Sequence, residues 1–258
     1  MIQRPERLAW NDAVRLGFIE LSTSLTMSAE VPAVLPDGVE PLLTRLRLPG
    51  GEVSAAALDQ MVASGRLEEA SRELADGGAS VVAFGCTTGS LIHGAGFDRE
   101  LAGRMERATG VRATTTSTAL LAALTAAGAR TVALATPYVD ELNELEVRFL
   151  EAGGFAVTAV RGLGIRSDPE IGRVPYARTR ELALEAAAAD PEADVLFISC
   201  TNLPTFALLD ELERELGKPV LSSVAVTVWH ALVLAGVRPS AESAGSLLAG
   251  RAARDRVA

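Results

Sequence analysis

The sequence predicts an α/β fold with parallel sheets, internally duplicated, and three observations carry that prediction. Short apolar runs of strand length alternate with helical stretches of about 10 to 20 residues, the pattern of parallel strands covered by helices. Two of the runs end alike: Val81–Phe84 leads into Gly85-Cys86-Thr87-Thr88-Gly89-Ser90, and Val195–Ile198 into Ser199-Cys200-Thr201-Asn202-Leu203. These hold the only two cysteines of the chain, 114 positions apart, which suggests one thiol from each half.

The elements follow in order. Val14–Leu21 is an apolar run with strand composition, closed by the hydroxyl-rich Ser22-Thr23-Ser24-Leu25-Thr26. Pro32, Pro36, Asp37-Gly38 and Pro41 then mark an irregular connection, and Leu42–Leu48 alternates as a second strand. A helix is expected from Ser54 to Asp76, stopped by Gly77-Gly78. Beyond the Cys86 turn, Leu91–Phe97 reads as a loop around His93, and Asp98 as the cap of a helix to Thr109.

The second half is expected to begin near Gly110. Val111–Thr115 is a short strand, Ser117-Thr118 lead a helix to Ala127, and Thr131–Ala135 is a strand ending at Thr136-Pro137-Tyr138. Asp140-Glu141 suit the first turn of the next helix, which Gly153-Gly154 end. Phe155–Val160 is a strand, and 162–173 a glycine-containing loop with Asp168-Pro169-Glu170. A helix over Tyr176–Ala189, the Cys200 strand, a helix over Thr205–Leu216, a strand over Pro219–Ser222 and helices over Val224–Ala235 and Ala241–Ala252 complete the chain. The expected division is residues 1–110 with 219–258 as one subdomain and 111–218 as the other.

Composition narrows the function. The 258 residues suffice for a large core, and no apolar run reaches the ~18 residues of a membrane span. The polar Met1–Arg7 has no signal-peptide core behind it, so the expected location is cytoplasmic. A net charge of −9 argues against nucleic-acid binding, which needs a basic surplus. His93 and His230 form no metal-ligand spacing with the cysteines, and no GxxxxGK[ST] or dinucleotide fingerprint is present; neither metal nor nucleotide cofactor is expected.

Gly85-Cys86-Thr87-Thr88-Gly89-Ser90, Thr136-Pro137-Tyr138, Glu170-Ile171-Gly172-Arg173 and Ser199-Cys200-Thr201-Asn202-Leu203, in this order over Leu16–Leu234, resemble the aspartate/glutamate racemase superfamily. The likeness is to its branch of maleate cis-trans isomerase and arylmalonate decarboxylase. It implies two Rossmann-like subdomains related by pseudo-twofold symmetry, a site in the cleft between them, no cofactor, a small carboxylate substrate and a homodimer. Decarboxylases of this branch keep only the second thiol, with glycine where this chain has Cys86, so Cys86 favours the two-thiol reactions. By resemblance, Cys86 is the nucleophile and Cys200 the proton donor.

That chemistry asks for one thiolate and one thiol near neutral pH, with donors aimed at the developing carboxylate charge. Candidate donors are Thr87, Thr88, Thr201, Asn202 and Tyr138. Maleate isomerases carry an asparagine after the first strand, where this chain has Ser24, and another before the Glu-Ile-Gly-Arg segment, where it has Asp168. Both departures point away from maleate itself. A two-thiol racemase, a decarboxylase and a non-catalytic carboxylate-binding protein stay open as alternatives. Other features have plainer readings: His93 satisfied by backbone, His230 in core or interface, Arg45 and Arg47 in surface ion pairs.

Overall fold

The computed structural model describes residues 12–241 and 244–251, and its eight strands form two four-stranded sheets that are parallel throughout. The first half runs β1 (Val14–Leu21), α1 (Met27–Val34), β2 (Val39–Leu46), α2 (Ala55–Ala63), α3 (Arg66–Asp76), β3 (Val81–Phe84), α4 (Thr87–Leu91), α5 (Phe97–Thr109) and β4 (Arg112–Thr115). Then α6 (Thr116–Ala126) leads to β5 (Thr131–Thr136), α7 (Asp140–Ala152), β6 (Ala156–Gly162), α8 (Asp168–Ile171), α9 (Tyr176–Ala189), β7 (Val195–Ile198), α10 (Leu209–Leu216), β8 (Val220–Ser222), α11 (Ser223–Leu234) and α12 (Gly245–Leu248). No helix of the described residues is long and apolar enough to cross a membrane.

Several boundaries differ from expectation, each for a physical reason. The proline-marked connection contains α1, with Pro32 in its interior. An interior proline costs a helix about 3 kcal/mol; burying Met27, Val31 and Val34 against the core offsets it. Pro41 lies within β2, where it is tolerated because β2 is an edge strand. The expected helix over 54–76 is two helices, α2 and α3, broken at Gly65 with φ +73°. Asp98 does not cap α5; it is buried in the first turn and accepts from Thr118 Oγ1 at 2.8 Å. The loop over 162–173 holds the single turn α8, and Thr205–Leu216 begins as a 3₁₀ turn before α10. Of the closing helix only α12 is formed among the described residues; positions 242, 243 and 252 lie outside them.

The sheet orders are β2-β1-β3-β4 and β6-β5-β7-β8, the same topology twice. Cys86 follows β3 and Cys200 follows β7, so the two cysteines leave equivalent interior strands. The repeat closes on itself through α6 and α11, which follow β4 and β8 and pack together, with Thr116 Oγ1 and Thr227 Oγ1 2.8 Å apart. Sheet membership therefore shifts the expected division: Arg112–Thr115 belongs to the first sheet and Val220–Ser222 to the second. Gly110, read as the start of the second half, is the left-handed C-cap of α5.

Candidate active site

Each thiol is held at a strand end by a local turn. Cys86 caps α4, and Gly89 N–H donates to its Sγ at 3.3 Å. A Cβ at Gly89 would stand 2.9 Å from that sulfur, which accounts for the glycine in the Cys-Thr-Thr-Gly motif. Cys200 has φ +88°, the only non-glycine residue with positive φ among the described residues, and its Sγ accepts from Asn202 N–H at 3.3 Å. Such a backbone is strained by about 1–3 kcal/mol and concentrates at functional sites. Thr201 Oγ1 donates to Gly85 C=O at 2.9 Å and joins the two cysteine turns across the halves.

All nine expected site residues are buried. Asp168 raises both thiols, and Cys86 adds to the rise at Cys200. The Tyr138 hydroxyl reaches the Cys200 thiol, and Thr88 the Cys86 thiol. Thr87 Oγ1 shares a hydrogen bond of 2.8 Å with Ser223, leaving its N–H at the head of α4 without an intrahelical partner. The Asn202 side chain bridges: Oδ1 accepts from Leu25 N–H at 2.7 Å and Nδ2 donates to Asp168 C=O at 2.8 Å. The hydroxyls of Thr87 and Thr201 and the amide of Asn202, expected as substrate donors, are therefore engaged with protein.

Asp168 Oδ2 accepts from Thr23 Oγ1 at 2.5 Å, and no ion pair among the described residues includes it. Burial raises its pKa, opposed by the hydrogen bonds from Thr23 and Asn202. The Ser24 hydroxyl, one residue from Thr23, is buried with no protein partner. The electrostatics depart from expectation in one respect: neither thiol is lowered. Burial pushes Cys86 up to about 12, helped by Asp168 and opposed by Gly89 N–H and Thr88. It pushes Cys200 up as well, again with Asp168 adding and Tyr138 opposing.

The sequence reading missed Glu146. It is wholly buried in α7, its Oε1 accepts from Ser199 Oγ at 2.7 Å, and its Oε2 has no protein partner. Burial raises its pKa to about 7, and its charge acts on Tyr138. The signal was available, since Glu146 stands four residues after Leu142 and three before Phe149, on the apolar face of α7. The remaining candidates have structural partners: His93 Nε2 pairs with Asp59 at 2.8 Å rather than with backbone, and Arg45 with buried Glu20 at 2.9 Å. His230 Nδ1 and Thr114 Oγ1 are 2.8 Å apart.

The family model described as arylmalonate decarboxylase matches residues 25–248. The chain belongs to that family. It is 39% identical over 186 residues to the arylmalonate decarboxylase of Bordetella bronchiseptica, covering 72% of this chain and 77% of that protein. The maleate isomerase of Nocardia farcinica is 32% identical over 246 residues, 91% of this chain and 95% of that one. A solved structure of the Nocardia farcinica maleate cis-trans isomerase, a cysteine-to-serine mutant with a covalently bound succinylcysteine intermediate, superposes with a TM-score of 0.85. It is 27% identical and covers 92% of this chain and 98% of its own. This family member is accordingly an enzyme of the isomerase and decarboxylase kind.

Proposed function

We propose that the chain is a cofactor-independent cis-trans isomerase of a small unsaturated carboxylic acid, working by addition and elimination between Cys86 and Cys200. The observation that carries this reading is the pair of buried thiols at equivalent strand ends, with Asp168 acting on both. A double bond does not rotate until its bond order falls, and covalent addition achieves that. The Cys86 thiolate forms an S–C bond, and the π pair moves to the neighbouring carbon and its carboxylate. Cys200 gives that carbon its proton and becomes the thiolate. After rotation about the new single bond, Cys200 takes the proton back, the S–C bond breaks, and its electron pair returns to Cys86. In this reading the Tyr138 hydroxyl donates to Cys200 and the Thr88 hydroxyl to Cys86, each stabilising its sulfur in the anionic turn.

The test follows maleate and related cis acids by NMR in deuterated water, with Cys86→Ser and Cys200→Ser beside the wild type. Trans product from the wild type alone supports the reading; unchanged turnover in either variant refutes it. Because burial pushes the Cys86 thiol up to about 12, thiolate is scarce at neutral pH. The rate is therefore expected to climb with pH, by about tenfold per unit while the thiolate fraction limits it. A second reading, decarboxylation, draws on the 39% identity to an arylmalonate decarboxylase. Release of carbon dioxide from an arylmalonate without any isomerisation would select it.

A further inference from the structure

Asp168 is an unusual neighbour for two thiols that would act on a diacid. It is buried, acts on both thiols, and has no cationic partner among the described residues. Its carboxyl accepts from Thr23 Oγ1 at 2.5 Å and is approached by the Asn202 amide, two donors that suit an acceptor-only carboxylate. In the same turn as Thr23, the buried Ser24 hydroxyl lacks a protein partner. A carboxylate offers only acceptors, and a second one set against Asp168 would meet like charge away from water. A primary amide has the same shape and offers both kinds of group, an N–H suited to an acceptor such as Asp168 and a carbonyl suited to a donor such as the Ser24 hydroxyl.

We propose that the substrate of this site carries one carboxylate, with a hydrogen-bond donor such as a primary amide at the end that meets Asp168 and Ser24. This rests on the isomerase reading and deepens it: the acid is of the cis-butenedioic monoamide class, not the diacid. The chemistry favours the same choice, because a donor on Asp168 offsets a charge that otherwise hinders thiolate formation at both sulfurs.

The experiment compares maleate with its monoamide, followed separately by NMR with the wild-type protein. The monoamide is expected to win in kcat/KM by about tenfold or more, the size of effect one close like-charge contact can exert. Equal or faster turnover of maleate overturns the inference and leaves the isomerase reading intact; turnover of neither fails both. Asp168→Asn, with its folding checked by thermal unfolding, is expected to shift the ratio toward maleate by about tenfold. An unchanged ratio overturns the inference. Inhibition by the saturated pair, succinate and its monoamide, reads the same selection without chemistry. The monoamide must bind tighter to the wild type, and tighter binding of succinate counts against the inference.

Discussion

Two single residues show how narrowly the thiols are placed. A Cβ added at Gly89 would lie 2.9 Å from Cys86 Sγ and 3.1 Å from Met61 Cε, both closer than ordinary contact. Gly89→Ala is expected to push the sulfur out of line at an overpacking cost of about 1–3 kcal/mol. Turnover should fall by more than tenfold while thermal unfolding stays cooperative; an unchanged rate would show that the close approach is incidental. Glu146 makes a different prediction. Its folded pKa of about 7 lies above its ordinary value of 4.5, so the folded state holds the proton more tightly than the unfolded chain. Stability from this group is therefore retained below 4.5 and lost as pH rises toward 7, by on the order of 3 kcal/mol. Glu146→Gln removes that dependence. Relative to wild type, its stability in denaturant titrations should improve between pH 5 and pH 8, and a flat difference would place the carboxyl in water.

At the scale of elements, strand positions were easier to read than the devices that interrupt the helices. The buried runs of β3 and β7 and the cysteine turns after them are plain in the sequence because a strand covered on both faces must be apolar for its whole length. α1 was hidden by Pro32, whose penalty only tertiary burial could offset. The break between α2 and α3 was hidden because Gly65 sits inside an otherwise helical composition, and a left-handed φ leaves no further mark in the sequence. The candidate site divides the same way. Cys86, Cys200 and Tyr138 could be named from their motifs, whereas the bridging role of Asn202 depends on Leu25 and Asp168, far away in sequence. The raised thiols were not legible either, since burial depends on everything packed around them.

At the scale of the molecule, a set of bonds joins the two halves, several of them through site residues. Thr23 reaches Asp168, Leu25 N–H and Thr26 Oγ1 reach Asn202, Val53 N–H reaches Arg166 C=O at 2.8 Å, and Glu30 accepts from Thr205 and Phe206 N–H at 2.7 and 2.9 Å. Both thiols are buried, so a small acid reaches them only when some of the surrounding contacts part, and Asn202, whose N–H donates to Cys200 Sγ, belongs to those contacts. Asn202 touches the most residues, since its side chain holds Leu25 and the Asp168 carbonyl while its own carbonyl accepts from Thr26 and its N–H donates to Cys200 Sγ. Asn202→Ala should free that edge at a cost of about 1–3 kcal/mol, the penalty for stranded buried hydrogen-bonding groups. Iodoacetamide labelling of the two cysteines is then expected to run at least several-fold faster than in the wild type, well below the unfolding temperature. Labelling at the wild-type rate would mean that the route to the sulfurs opens elsewhere, and that Asn202 serves to align Asp168 alone.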